Sequence, residues 1–86
     1  MQYALSRSFE KQFAKLPKKT KEKAITALAL FIENPEYPSL RNHSLRGEWS
    51  GCRSINITGD VRAVYVLHDT DMAQFVAIGS HAQLYG

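Results

Sequence analysis

Asn34-Pro35 divides the chain into two stretches of different periodicity, and this change restricts the fold more than any other feature of the sequence. Proline has no amide hydrogen, and its ring pushes the preceding residue out of helical geometry, so a helix that reaches Asn34 ends there. On the amino-terminal side apolar residues recur at helical spacing. Phe9, Phe13 and Leu16 make one stripe, and Ala24, Ile25, Leu28, Phe31 and Ile32 make a second, core-facing one. Ser6 or Ser8 caps the first helix, and Pro17 ends it or opens the next. The second helix is expected over residues 19–33, with Thr20 as its candidate cap. Two such stripes form a helical hairpin that needs a covering layer.

Beyond Pro35 the pattern is that of strands. Residues 35–46 hold two prolines and no period, so they read as a connecting loop with a short extended piece near Leu40 or Leu45 and with His43 in irregular chain. Residues 52–58 alternate, which puts Arg53, Ile55 and Ile57 on one side and Cys52, Ser54, Asn56 and Thr58 on the other. Gly59-Asp60 is a hairpin signal, residues 61–67 are rich in β-branched and aromatic side chains, and a second turn at 68–71 leads to a strand over 72–78. Gln2 to Leu5 fits a short strand with Tyr3 and Leu5 on one face. Gly79-Ser80 is expected to break the last strand, with Ser80 capping a terminal turn that holds His81, Leu84 and Tyr85. The result is an α+β fold in the order β-α-α-β-β-β, a helical hairpin packed on an antiparallel sheet.

A chain of 86 residues buries only about 60–65% of its unfolded surface, too little to divide between two cores, so residues 1–86 are expected to form one domain. Nothing approaches the run of about 18 apolar residues needed to span a bilayer, and a cytoplasmic, soluble protein is expected. The single cysteine, Cys52, excludes an internal disulfide. Charge is unevenly spread: residues 1–46 carry nine Lys/Arg against four Asp/Glu, and residues 47–86 carry two against four. A cationic amino-terminal half suits a polyanion or an acidic protein partner.

Four groups in the strand-rich half stand out as chemistry: His43, Asp60, Arg62 and His81. In an antiparallel meander the turn after Thr58 and the end of the third strand can share one end of the sheet, which would make Asp60 and His81 neighbours, with His43 arriving from the loop. Two histidines, a carboxylate and an arginine suffice for metal-free cleavage of a phosphodiester. One group takes the proton of a ribose 2′-hydroxyl, another protonates the leaving oxygen, and the arginine stabilises charge on phosphorus. Histidine suits both proton roles, since its ordinary pKa is about 6.5. His43, Asp60 and His81 lack close paired-ligand spacing, so neither a metal nor any other cofactor is expected.

The residues Asn42-His43-Ser44-Leu45-Arg46-Gly47, then Trp49-x-Gly51-x-Arg53, Gly59-Asp60-x-Arg62-x-x-Tyr65 and Gly79-Ser80-His81-x-x-Leu84-Tyr85-Gly86, resemble the RelE/ParE superfamily of bacterial toxins, most closely its YafQ-type branch. Ser8-Phe9-Glu10-Lys11 and the helical hairpin extend the resemblance over essentially the whole chain. It implies a RelE-like fold and a ribosome-dependent endoribonuclease that cuts mRNA in the ribosomal A site. It also implies a cognate antitoxin as partner, with operator DNA reached through that antitoxin. By position, His43, Asp60 and His81 match acid/base or phosphate-contacting residues, Arg62 a phosphate-contacting strand residue, and Tyr85 an aromatic that holds the message. Arg53, Lys11, Lys15, Lys18 and Lys19 are the further RNA contacts expected. Asn56, Val61 and Ala77 depart from the pattern, standing where YafQ-type toxins have a histidine, a tryptophan and an arginine. Two other readings stay open within the superfamily: a ParE-like toxin that inhibits gyrase without cleaving RNA, and a silent relative that only binds its antitoxin.

Overall fold

The computed structural model describes residues 1–85; Gly86, which closes the Gly-Ser-His segment, lies outside the described residues. Strand β1 (Gln2–Leu5) leads directly into helix α1 (Arg7–Ala14). Of the two candidate caps, Ser6 performs the role: its backbone is extended and its hydroxyl accepts the Phe9 amide at 3.0 Å. Helix α2 spans Lys18–Glu33 and begins one residue earlier than expected. Its cap is Pro17, whose fixed φ suits the position and whose carbonyl accepts the Lys21 amide at 2.9 Å, so Thr20 sits inside the first turn and caps nothing. Asn34 ends α2 in extended geometry, as the following proline requires.

The helices bury Phe9, Ala24, Ala27, Leu28 and Phe31. Ile25 and Ile32, expected on the inner side, are 60% and 46% exposed. Each follows a buried residue, Ala24 or Phe31, by one step of about 100° around the helix, and the stripe that meets the sheet is narrower than the apolar stripe of the sequence. Leu5 is likewise exposed, while Tyr3 is half-buried against the core.

Five strands form one sheet in the order β1-β5-β4-β3-β2. Strands β3 (Arg53–Asn56), β4 (Val61–Leu67) and β5 (Met72–Ser80) make the expected antiparallel meander. Two features refine that expectation. Strand β1 lies parallel to β5, Gln2 opposite Met72 and Leu5 opposite Phe75, and the long connection that parallel pairing demands runs through both helices and then the strands that precede β5. His43 is not in irregular chain: His43–Ser44 form a short outer strand, β2, paired antiparallel to Ser54 and Arg53. A 3-10 helix at Pro38–Leu40 precedes it and buries Leu40, and a second at Gly47–Trp49 follows.

Strand β5 also runs through Gly79-Ser80 instead of stopping at Ile78, because its pairing with β4 continues to Val61 opposite Ser80. Between Val64 and Tyr65 the register shifts by one residue, so Val64 faces Ala77 while Tyr65 faces Phe75. The bulge changes the parity of β5, and Phe75 and Ile78, three positions apart, both enter the core. There Phe31, Tyr65 and Phe75 meet edge to face or tilted with centroids 4.9–5.2 Å apart, the range in which aromatic pairs attract beyond their buried area.

The other face of the sheet is lined differently. Ser54, Val64 and Ala77 stand in one row across β3, β4 and β5, all buried, and outside the aromatic core. On that side the closing helix α3 (His81–Tyr85) packs against β5. Among the described residues no helix is long and apolar enough to cross a membrane.

Candidate functional site

Alternation sends Asn56 and Arg62 to the face opposite the helices, where they stand side by side in register with Gly79 next to Arg62. They form the floor of a cleft of about 1060 Å³, together with Gly59 of the hairpin turn. One wall is the segment around β2, which supplies Arg41, Asn42, His43, Leu45 and Arg46, and the other is α3, which supplies His81 and Tyr85. Three arginines and two histidines therefore face one space. No carboxylate lines it among the described residues.

Each side chain is placed by a local device. Arg41 ends the first 3-10 helix with φ 47°, a left-handed conformation that costs an ordinary residue about 1–2 kcal/mol. That turn aims its carbonyl at His43 Nδ1, 2.8 Å away. A carbonyl only accepts, so Nδ1 carries a proton, and in the neutral form of the ring the free lone pair is that of Nε2. Between these two residues Asn42 is held by three hydrogen bonds. Its amide nitrogen donates to the Tyr65 hydroxyl at 2.7 Å and to the Pro35 carbonyl at 3.0 Å, and its oxygen accepts from Arg53 Nε at 2.8 Å. Arg62 Nη1 donates to the carbonyls of Thr58 and Gly59 at 3.1 and 3.0 Å, which fixes the guanidinium over the turn.

Helix α3 is too short to persist alone and is fastened at both ends. Ser80 and Gln83 form a reciprocal capping box: the Gln83 amide donates to Ser80 Oγ at 3.1 Å and the Ser80 amide to Gln83 Oε1 at 2.8 Å. Gly79 makes room for it, since a Cβ there would lie 2.8 Å from the same Gln83 oxygen. At the far end the Trp49 indole donates to the Leu84 carbonyl at 3.0 Å. Within the helix the His81 and Tyr85 rings meet edge to face at 4.7 Å.

Of the residues singled out in the sequence, His43, Arg62, His81 and Tyr85 line the cleft. Asp60 is adjacent through its backbone, its carbonyl accepting the His81 amide at 3.1 Å, while its side chain is exposed and outside the lining. Arg53 points to the opposite face and serves Asn42. Lys11 on α1, Lys15 at its C-cap, and Lys18 and Lys19 on α2 are outside the lining of the cleft. Arg41, Asn42, Arg46 and Asn56 were not singled out as site residues. A visible signal existed for two of them: Arg41 and Arg46 flank His43 within six residues, and only two further Lys or Arg, Arg53 and Arg62, follow them in the chain. Among the described residues no three His, Cys, Asp or Glu side chains gather as a metal-ligand set.

No curated protein matches the sequence at a significant level. The family described as the bacterial toxin of the type II toxin-antitoxin system, YafQ, matches over residues 1–86. Among solved structures, YafQ from E. coli is similar with a TM-score of 0.82 at 26% identity, over 98% of this chain and 97% of that one. The E. coli DinJ-YafQ toxin-antitoxin complex contains a chain similar at TM-score 0.74 and 25% identity, covering 98% of this chain and 96% of its own. HP0894 from Helicobacter pylori is similar at TM-score 0.67 and 26% identity, with 99% of each chain covered. With this fold, this cleft and a family match that runs from the first residue to the last, the chain belongs to the YafQ family of bacterial toxins of type II toxin-antitoxin systems.

Proposed function

We propose that this toxin is an mRNA endoribonuclease that works on the ribosome in the cytoplasm. The observation that carries the reading is the lining of the cleft: three arginines and two histidines around one space, with no carboxylate facing it among the described residues. Such a lining attracts a phosphodiester and repels little of it.

In this reading His43 is the base. Its Nε2 takes the proton of the ribose 2′-hydroxyl, and the oxygen attacks the adjacent phosphorus in line. The bond from phosphorus to the 5′-oxygen breaks, and His81 in its protonated form gives that oxygen its proton. The products are a 2′,3′-cyclic phosphate and a free 5′-hydroxyl. Arg41, Arg46 and Arg62 stabilise the charge that builds on the phosphoryl oxygens, and Arg62, already tethered by Nη1, reorganises least. Tyr85 stacks on a base beside the scissile bond. Asp60 acts by holding the start of α3 at the cleft, and Lys11, Lys15, Lys18 and Lys19 contact RNA from the helical face. Arg53 belongs to this reading as the support of Asn42 and, through it, of the segment that carries Arg41 and His43.

A cognate antitoxin silences the toxin, and operator DNA is reached through that antitoxin. The similar E. coli toxin forms a complex with DinJ, and this chain carries apolar surface to spare at Leu5, Ile25 and Ile32, beside the open edge of β1. Replacing Ile25 and Ile32 by glutamate is expected to weaken antitoxin binding at least tenfold in a titration while the toxin remains folded.

The decisive experiment maps cleavage of a defined mRNA by primer extension after incubation with the purified protein, with and without programmed ribosomes. Discrete cuts that need ribosomes and vanish in His81→Ala are expected. An uncut message under both conditions overturns the nuclease reading, and gyrase-dependent DNA damage in expressing cells would then point to the ParE-like alternative.

A further inference from the structure

Strand β2 pairs only with Ser54 and Arg53, so the outer edge of β3 is unpartnered at Ile55 and Asn56. Across that open edge from the cleft lies a second groove of about 470 Å³ between α2 and the first 3-10 helix, and Asn56 lines both spaces. Its floor is apolar: Ala27, Leu40 and Ile57 are buried side chains of the core. Its rim carries Lys19 and Lys23, one helical turn apart on α2 and both exposed, against a single carboxylate, Glu22.

We propose that this groove seats a second nucleotide of the same RNA strand, its base on the apolar floor and its phosphate between Lys19 and Lys23. The inference rests on reading the cleft as the RNA site. Continuity through Asn56 selects the occupant, because a strand that leaves a cationic cleft over an open sheet edge enters the groove without crossing a wall. Size agrees: the volume falls in the range of about 300–1,000 Å³ that small-molecule sites occupy. The floor is aliphatic, so it favours any base over none and reads no sequence. Asn56 stands at the junction, its amide offering both a donor and an acceptor to the backbone that passes.

The test measures binding of fluorescent, uncleavable 2′-O-methyl RNA of two, three and four nucleotides to the purified toxin by anisotropy, over a range of salt. For the native chain an affinity gain of about tenfold is expected on lengthening from two to four nucleotides. The double variant Lys19→Ala, Lys23→Ala should lose that gain, keep its affinity for the dinucleotide, and show a salt slope lower by about 0.7 per lysine. Thr26→Trp, at an exposed rim position, should fill the groove and abolish the gain without changing the dinucleotide. Arg62→Ala should weaken every length. A gain that survives both groove variants overturns the proposal, as does a double variant that loses antitoxin binding while keeping the gain, which would assign the groove to an acidic protein segment. Dinucleotide binding indifferent to Arg62→Ala would instead overturn the cleft reading on which the proposal stands.

Discussion

The two faces of this sheet are held by different forces. On one, α1 and α2 cover a core in which Phe9, Phe31, Tyr65 and Phe75 touch each other and almost nothing polar intrudes. On the other, the buried row is made of the small side chains Ser54, Val64 and Ala77, and a five-residue helix is fastened by a capping box and one indole hydrogen bond. Area burial secures the first face, and directional bonds secure the second. The difference teaches where each kind of damage should appear: truncation under the helices should cost stability, whereas truncation around the cleft should cost activity and leave the molecule folded.

That division can be broken or sharpened by substitution. The largest effect expected is on the cleft side, where His81→Ala should lower ribosome-dependent cleavage about 10²–10⁴-fold. Because His81 is exposed, its loss should shift the unfolding free energy by less than about 0.5 kcal/mol in urea titrations. A variant that unfolds instead would show that α3 belongs to the core. Next, Phe31→Ala should destabilise by about 3–5 kcal/mol, since the ring is fully buried against two aromatic neighbours, Tyr65 and Phe75, and a loss below about 1 kcal/mol would mean that the helical face tolerates voids. Arg53→Ala tests the hydrogen bond to Asn42, a residue of the cleft wall. It should cost about 1–3 kcal/mol by stripping Asn42 of a charged donor, and it should also slow cleavage; slowed cleavage without any loss of stability would mark Arg53 as an RNA contact. The smallest change is expected for Trp49→Phe, which removes one hydrogen bond worth about 0.5–1.5 kcal/mol and should speed amide exchange in α3 before it is felt in the aromatic core.

The legible parts of the fold are those in which a single period governs a segment. The extents of α2 and β4 and the hairpin at Gly59-Asp60 follow from helical stripes, alternation and turn chemistry, all local properties. The apolar stripe predicts Ile25 and Ile32 inward, yet both are exposed, because an apolar residue type does not say where the neighbouring layer ends. The parallel pairing of β1 depends on contacts across seventy residues, and the bulge beside Val64 is a shift of register within a hairpin; no local pattern encodes either. The cleft divides the same way. His43, Arg62, His81 and Tyr85 were legible as unusual chemistry in strand or turn context, and all four reach the cleft. Arg41 and Arg46 were hidden in a segment without periodicity, where only the left-handed turn at Arg41 and the two-residue strand β2 decide what faces inward. Alternation had already set Arg53 and Asn56 on opposite sides, and that separation decides which of them meets the cleft.

The parallel register of β1 on β5 has a consequence for synthesis. Leu5 pairs with Phe75, so the first strand made waits for nearly the last one, and both helices rest meanwhile on a sheet that does not yet exist. Chain elongation at about 5–20 residues per second leaves that wait at several seconds, long against the microseconds in which an isolated hairpin closes. His43 and Arg62 have emerged by then, yet His81 and the helix that carries it follow β5 in the chain. An unfinished polypeptide therefore holds the amino-terminal parts of a toxin without a complete cleft, and the cleft closes only when the last residues of the chain have been made.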